Sequence, residues 1–162
     1  MACGKEPIQT NEDEILYEGN FLRLIRRNGW EIVERVKSSG VVIIYPITDD
    51  GEIVLVEQFR QPLNARCIEW PAGLVGDKGF NGNPRDAAIN ELVEETGYTA
   101  ENMQKVLSGT VSPGLTNEYV TCFLATGLKK VSFGGGADDE NENIKVHKVP
   151  IMDFYKWATI KH

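Results

Sequence analysis

The chain of 162 residues is 41% hydrophobic and 25% charged, the composition of one ordinary globular domain. Its formal net charge of −7 disfavours nucleic acids as partners, because phosphate backbones are bound by basic surfaces. It has no apolar run of about 18 residues that could cross a membrane, and its polar first residues do not form a signal peptide. We therefore expect no membrane association and a cytoplasmic location.

The sequence has too few cysteines and histidines to favour disulfides, zinc sites or histidine-based catalysis. Cys3, Cys67 and Cys122 are an odd count without a CxxC pair, which argues against a disulfide framework or a zinc site and predicts small hydrophobic side chains. Only His147 and His162 are histidines, so a Ser-His-Asp site or a histidine-rich metal centre is poorly supplied.

Strands dominate the predicted elements. Residues 15–36 contain short apolar alternations on either side of Asn28-Gly29, a dipeptide typical of a two-residue hairpin turn, and they predict an antiparallel hairpin. Further strands are expected, in chain order, at Gly40–Pro46, Glu52–Phe59, Cys67–Trp70, Gln104–Val111, Tyr119–Ala125 and Ile144–Val149.

Two helices complete the predicted elements. The helix at Pro84–Thr96 has Asn83 as its N-cap, proline at its first position and Gly97 just past its end. A C-terminal helix is expected at Met152–Thr159. Mixed strands with one central and one terminal helix indicate an α/β or α+β fold.

Three glutamates gather on one side of the central helix. At about 100° per residue, Glu91, Glu94 and Glu95 lie opposite a mostly apolar side. Their mutual repulsion weakens an isolated helix, so the cluster is either a solvated acidic face or a site for a hard cation such as Mg²⁺. The preceding Pro71-Ala72-Gly73 and the glycine-rich loop at 76–83 favour the metal site.

These residues resemble the box of the Nudix hydrolases, G-x5-E-x7-R-E-U-x-E-E-x-G-U, in which U is aliphatic. Residues 91–98 (ELVEETGY) match its second half, except that Tyr98 replaces the last aliphatic residue. Asn90 stands where the family has arginine, and Gly82 stands where it has the first glutamate. The second half of the box is therefore nearly intact and the first half is degraded.

The flanking segments resemble the ADP-ribose pyrophosphatase branch of that family. They are 30–35 (WEIVER), 57–62 (EQFRQP), 69–73 (EWPAG), 112–114 (SPG) and 137–149 (ADDENENIKVHKV). The resemblance covers 15–157 and implies an α/β Nudix fold, an α/β/α sandwich of a mixed sheet with flanking helices, plus an N-terminal antiparallel β hairpin region. It implies an N-terminal β region at 1–38 that dimerises and a Nudix hydrolase domain at 39–162.

The resemblance also implies the catalytic metal site. Glu91 and Glu95, joined by the backbone carbonyl of Ala72, are expected to bind Mg²⁺, for which Mn²⁺ can substitute. Glu94 is expected to bind the ion directly or through water. No other cofactor is implied.

An acidic, glycine-rich loop at 134–143 supplies further candidates. By resemblance, Glu140 is the general base and Glu142 an additional metal ligand, although the composition alone would favour a solvated loop. A carboxylate on a mobile segment could arrive after the substrate and orient the attacking water. Glu118 is the competing candidate for the base and is otherwise a turn residue or a substrate contact.

Substrate contacts are implied at four other positions. Arg60 is expected to bind a diphosphate oxygen, with a surface ion pair as the alternative. Trp30 and Phe21 are expected to sandwich adenine, one from each subunit of a homodimer, with a hydrophobic hairpin face as the alternative. Arg35 is expected to assist substrate binding.

The implied reaction is Mg²⁺-dependent hydrolysis of the pyrophosphate bond of ADP-ribose or a related nucleoside diphosphate sugar. Water attacks phosphorus, two or more metal ions neutralise the developing charge, and the products are AMP, or another nucleoside monophosphate, and a sugar phosphate. Because Asn90 and Gly82 depart from the box, the alternative is a catalytically weak domain that senses a nucleotide sugar.

Overall fold

The computed structural model describes residues 13–76, 82–136 and 143–161. Its strands are β1 (Glu14–Glu18), β2 (Leu22–Arg27), β3 (Trp30–Arg35), β4 (Gly40–Pro46), β5 (Glu52–Arg60), β6 (Ala65–Glu69), β7 (Ala72–Val75), β8 (Tyr98–Thr110), β9 (Tyr119–Lys130) and β10 (Lys145–Pro150). Its α-helices are α1 (Pro84–Thr96) and α2 (Phe154–Lys161), with short 3₁₀ turns at Gln61–Leu63 and Ile151–Asp153. Within these ranges, no helix has the length and apolar character that a bilayer crossing requires.

The strands form three sheets, ordered β1-β2-β3, β10-β5-β6 and β7-β4-β9-β8. The last of these, the central sheet, is mixed because β4 and β9 run parallel while β4–β7 and β8–β9 are antiparallel. Helix α1 covers the central sheet, and Ala88 and Leu92 of the helix are completely buried with Val42 and Ile44 of β4. The predicted mixed α/β architecture is confirmed.

The boundaries of α1 follow from local chemistry. The side chain of Asn83 accepts a hydrogen bond from the backbone N of Arg85 at 3.0 Å, which satisfies one of the unpaired donors of the first turn. Gly97 adopts φ 72° and donates to the carbonyl of Val93, a left-handed cap that suits glycine. The predicted range of 84–96 is therefore the observed one.

The long hairpin of β8 and β9 differs from its prediction. Strand β8 begins at Tyr98, directly after the helix cap, rather than at Gln104, and β9 continues past Ala125 to Lys130. The two strands are paired over their whole length, up to Tyr98, which lies opposite Lys130. Apolar alternation marks only the part of each strand that faces the core, so it underestimates the paired length.

The segment Pro71-Ala72-Gly73 also differs from its prediction. The sequence predicts that the preceding strand ends at Trp70 and predicts no strand here, but Ala72 and Gly73 begin β7, an additional strand that pairs with β4. The carbonyl of Pro71 accepts a hydrogen bond from the backbone N of Ile44 at 2.8 Å. The start of β7 is thereby fixed on the central sheet, next to α1.

Candidate functional site

Two of the helix glutamates lie against the start of β7. Glu95 is 7% exposed, and its Oε2 accepts a hydrogen bond from the backbone N of Ala72 at 3.0 Å. The Glu91 side chain occupies the space next to Gly73, where any Cβ would collide with it. Glycine at position 73 therefore permits the close approach of Glu91 to the strand.

The donor set at this point suits a hard divalent cation. Mg²⁺ is usually bound by one or two carboxylates, with water and substrate phosphates in its other positions. Glu91 and Glu95 supply two carboxylates that converge on the Ala72–Gly73 segment. Two carboxylates are the contribution that such a partly hydrated ion needs from the protein, so these residues fit Mg²⁺. In the described part of the chain, no group of three or more acidic, histidine or cysteine side chains converges on one point.

Arg60 brings positive charge to the same region. Its Nε and Nη2 form a fork with the carboxylate of Glu69, at 2.8 and 2.6 Å, and Nη1 lies outside this fork. The hydrogen bond to Glu69 raises the pKa of Arg60, and the negative charges of Glu69 and Glu95 add to the effect. The guanidinium is thus a permanent cation whose Nε and Nη2 bind Glu69 and which lies within electrostatic range of Glu95.

The first residues of the acidic loop are hydrogen-bonded to the C-terminal end of α1. The backbone N of Gly135 donates to the carbonyl of Glu95 at 2.9 Å, and that of Gly136 donates to the carbonyl of Glu94 at 3.1 Å. The predicted base and metal ligand, Glu140 and Glu142, lie outside the described residues. The structure shows that the preceding residues, Gly135 and Gly136, are hydrogen-bonded to the last turn of α1.

The strand after this loop is attached through Arg66. Its Nη2 donates to the carbonyl of Asn143 at 3.0 Å, and its Nε donates to Glu57 at 2.7 Å. The other carboxylate oxygen of Glu57 contacts Nε2 of His147 at 2.7 Å. The hydrogen bonds from Arg66 and then His147 lower the pKa of Glu57 to about 2. Glu57 is therefore an ionised centre that joins β5, β6 and β10.

A polar pocket of about 200 Å³ lies between the N-terminal sheet and the start of β9. Two predicted substrate contacts, Arg35 and Glu118, meet here as an ion pair. The carboxylate of Glu34, 5% exposed, accepts hydrogen bonds from Arg23 at 2.8 Å and from Asn117 at 2.6 Å. The pocket presents both donors and acceptors, as the hydroxyl groups of a sugar require.

Trp30 and Phe21 are not adjacent in the chain's fold. They are 64% and 76% exposed. Trp30 pairs with Arg27 beside the hairpin turn, whereas the carbonyl of Phe21 accepts from Val36 at the opposite end of the hairpin. At about 3.3 Å per residue, the two positions are roughly 20 Å apart. Both rings could contact one adenine only if they came from two copies of the chain.

Some residues of the site had no clear sign in the sequence. Glu34 had a weak one, because it alternates with Ile32 on a strand whose buried face would be expected to be apolar. Arg23 and Asn117 reach Glu34 from positions distant in the sequence, and no local pattern indicates such a contact. The same holds for the attachment of the 134–136 segment to α1.

The chain is similar to known proteins in sequence and in fold. A family model described as the NUDIX domain matches residues 37–161. An ADP-ribose pyrophosphatase of Bacillus subtilis (strain 168) is 40% identical over 123 residues, 76% of this chain and 64% of that protein. An ADP-ribose pyrophosphatase of Mycobacterium tuberculosis (strain ATCC 25618 / H37Rv) is 36% identical over 129 residues, 76% of this chain and 61% of that protein.

One similar protein is described as an activator of another enzyme rather than as a pyrophosphatase. A methanol dehydrogenase activator of Bacillus methanolicus is 40% identical over 107 residues, 66% of this chain and 56% of that protein. The chain thus spans between 56% and 64% of the length of these three relatives. A solved structure described as an ADP compounds hydrolase shares the fold, with a TM-score of 0.72 at 18% identity over 96% of this chain and 86% of the other.

Proposed function

The chain belongs to the Nudix family, since the family model covers residues 37–161, and we propose that it hydrolyses the pyrophosphate bond of ADP-ribose or a related nucleoside diphosphate sugar in a Mg²⁺-dependent reaction. The products are AMP, or another nucleoside monophosphate, and a sugar phosphate. The observation that carries the proposal is the convergence of Glu91 and Glu95 on the Ala72–Gly73 segment, with the positive charge of Arg60 within electrostatic range of Glu95.

Two groups of residues are proposed to bind the diphosphate, one through the metal ion and one directly. Bound Mg²⁺ supplies positive charge to the diphosphate and to the attacking water. Glu91 and Glu95, with Glu94 and the carbonyl of Ala72, hold the ion; Mn²⁺ can replace it. Arg60 binds a non-bridging phosphate oxygen through the part of its guanidinium outside the Glu69 fork, a planar donor geometry that suits phosphate.

The polar pocket lies within one substrate length of these carboxylates. Gly40, which lines the pocket, pairs with Val75 at the end of β7, while Ala72 stands at its start. Three residues of strand correspond to about 10 Å, which a nucleoside diphosphate sugar can span. Arg35 and Glu118 are therefore proposed to bind the part of the substrate beyond the reacting phosphates.

The general base is proposed to be Glu140, with Glu142 as an additional metal ligand. The proposal rests on the resemblance of the acidic loop and on the described segment before it, whose Gly135 and Gly136 donate to the backbone carbonyls of Glu95 and Glu94. Single-turnover hydrolysis at saturating ADP-ribose separates the candidates. Glu140→Gln should be much slower than Glu118→Gln; the reverse order would assign the base to Glu118.

The chain is proposed to work as a cytoplasmic homodimer without nucleic-acid or membrane partners. Residues 1–38 form the dimerising region and 39–162 the hydrolase domain. Exposed apolar side chains of the N-terminal sheet, among them Ile15, Phe21 and Trp30, support a contact between copies. Each adenine would then stack between Trp30 of one subunit and Phe21 of the other. A monomeric mass at micromolar concentration with full activity would contradict this arrangement.

Hydrolysis is tested with the purified chain, MgCl₂ and a panel of nucleoside diphosphate sugars, with release of the monophosphate as the readout. Glu95→Gln keeps an oxygen for the Ala72 amide but removes the charge, and it should lower the rate by about a hundredfold or more. Glu101→Gln is the matched control, because Glu101 is exposed and pairs with Lys129; it should act like wild type. Equal rates for Glu95→Gln and Glu101→Gln would contradict the assignment.

The second candidate is a weakly catalytic domain that binds a nucleotide sugar as a sensor. It is favoured by Asn90 and Gly82, where the family pattern has arginine and glutamate, and by the relative named as a dehydrogenase activator. Tight ADP-ribose binding without release of AMP at any Mg²⁺ or Mn²⁺ concentration would establish it in place of the hydrolase.

A further inference from the structure

Lys130, the last residue of β9, lies at the C-terminal end of the glutamate helix. Its Nζ donates hydrogen bonds to the carbonyl of Thr96 at 2.7 Å and to that of Phe133 at 3.3 Å. The same ammonium group stands 4.6 Å from the ring centroid of Tyr98. The carbonyls of the last helical turn lack intrahelical donors and carry partial negative charge, so a cation here stabilises the end of α1.

The turn after Lys130 continues the attachment through its backbone. Val131 and Ser132 donate to the carbonyl of Gly97 at 2.8 and 3.2 Å. A Cβ at Gly97 would collide with the carbonyl of Ser132, and a Cβ at Gly134 would collide with the backbone of Thr96. The helix end and the turn are therefore packed backbone to backbone, at a distance that only glycine allows.

We call this unit the α1 clasp and define it as Gly97, Lys130 and the turn 131–136. It reaches the proposed metal ligands directly, since Gly135 and Gly136 donate to the carbonyls of Glu95 and Glu94. The hydrogen bonds that the clasp donates to α1 all go to the last turn of the helix or to its cap. The orientation of the two carboxylates depends on the backbone of that turn.

We propose that Lys130 is a positioning residue for the metal-binding carboxylates: by joining Thr96 to Phe133 it fixes the helix turn that carries Glu94 and Glu95. Groups that contact the metal ligands and fix their orientation contribute to metal affinity, although they do not bind the ion themselves. Lys130 contacts the backbone rather than substrate, so it acts through the glutamates. The inference rests on the proposed hydrolase function.

Lys129 provides a matched control. It is the preceding residue of the same strand, so its side chain points to the opposite face. Its Nζ pairs with Glu101 at 2.6 Å, and its side chain is 68% exposed. Replacing either lysine by methionine removes one positive charge from adjacent positions, but only Lys130 contacts α1.

The experiment measures Mn²⁺ binding to the full chain without substrate, from the electron paramagnetic resonance signal of free Mn²⁺. The variants are Lys130→Met, Lys130→Arg and Lys129→Met. We expect Lys130→Met to weaken Mn²⁺ binding by about tenfold or more, Lys130→Arg to recover most of the affinity, and Lys129→Met to match wild type. In hydrolysis, Lys130→Met should need more Mg²⁺ for half-maximal kcat while the KM for ADP-ribose stays within about twofold.

Wild-type affinity in folded Lys130→Met would overturn the proposal, even if its melting temperature fell, because the lysine would then act on stability alone. If Lys130→Met does not fold, Lys130→Gln, which keeps a donor without the charge, is measured by the same criteria. Absence of Mn²⁺ binding by the wild type would overturn the proposed metal site and this inference together. Equal binding by wild type and Lys130→Met would overturn the inference alone.

Discussion

The N-terminal sheet and the central sheet are held by different forces. In β1–β3, Ile25 is the one hydrophobic side chain that is buried, and the strands are joined by pairs such as Arg23–Glu34 and Arg26–Glu14. In the central sheet, Val42 and Ile44 are completely buried beneath α1. Apolar packing keeps the glutamate helix in place, whereas polar contacts maintain a sheet whose apolar side chains remain available for binding.

The largest effect on stability should come from the core beneath α1. Leu92→Ala removes a completely buried side chain and should lower the free energy of unfolding by about 3 kcal/mol, from lost burial and the cavity left behind. Leu22→Ala, at a 46% exposed position of β2, should cost less than about 1 kcal/mol. Urea denaturation of both variants measures the difference, and similar losses would contradict the contrast between the sheets.

The next effect should come from the buried carboxylate of the N-terminal sheet. Glu34→Gln replaces a carboxylate whose two oxygens accept from Arg23 and Asn117. It should cost about 2 kcal/mol, because the charge is lost and the NH2 group of glutamine must face the donor of one of the two partners. Glu31→Gln, whose side chain is 63% exposed, should stay within about 0.5 kcal/mol of wild type. Unfolding free energies at neutral pH test this, and an unaffected Glu34→Gln would show that the sheet does not depend on Glu34.

Trp30 should separate binding from stability. Trp30→Ala changes a 64% exposed side chain, so the free energy of unfolding should stay within about 0.5 kcal/mol of wild type. Loss of stacking on a base should raise the KM for ADP-ribose by about tenfold. Tyr155→Ala, at an 82% exposed position of α2 outside the proposed dimerising region, is the control and should leave KM unchanged. A normal KM for Trp30→Ala would remove Trp30 from the proposed adenine site.

The smallest effect should be the pH dependence contributed by Glu57. Its pKa is lowered from 4.5 to about 2 by Arg66 and then His147, so ionised Glu57 stabilises the fold above pH 4.5 and this contribution is lost as the pH falls towards 2. The amount should stay below about 1 kcal/mol, because Arg66 is substantially exposed and solvent screens the pair. Wild type should exceed Glu57→Gln in urea resistance at pH 6, and the two should converge near pH 2. If wild type and Glu57→Gln differed in urea resistance by the same amount from pH 6 to pH 2, the ionisation of Glu57 would not be the cause.

What could be predicted from the sequence was the part governed by local chemistry. The boundaries of α1 followed from Asn83, Pro84 and Gly97, each of which acts on its immediate neighbours. The hairpin turn followed from Asn28-Gly29, whose positive φ angles of 50° and 84° these residues tolerate. The position of Glu91 and Glu95 one turn apart on the same side of α1 followed from helical periodicity.

The unpredicted parts depend on contacts between distant segments. Lys130 looks like any solvated lysine at a strand end, and only the fold brings it to Thr96. Asn117 lies in the connection between β8 and β9 and binds Glu34, which is 83 residues away in the sequence. Glycine at position 73 could be seen in the sequence, but its reason, the approach of Glu91, could not. The base assignment to Glu140 remains a prediction, since that residue lies outside the described ranges.

The parallel pairing of β4 with β9 bears on the order in which the chain folds. Val41 lies beside Val120, about 80 residues further along the chain, so this contact closes a long loop at a high entropic cost. The β8–β9 hairpin closes a far shorter loop and can form while β4 is still unpaired. We expect the hairpin and α1 to associate first, with β4 completing the sheet in the slow step. A truncation that removes β9 should therefore leave β4 without its only parallel partner in the described sheets, and α1 without a complete surface to pack on.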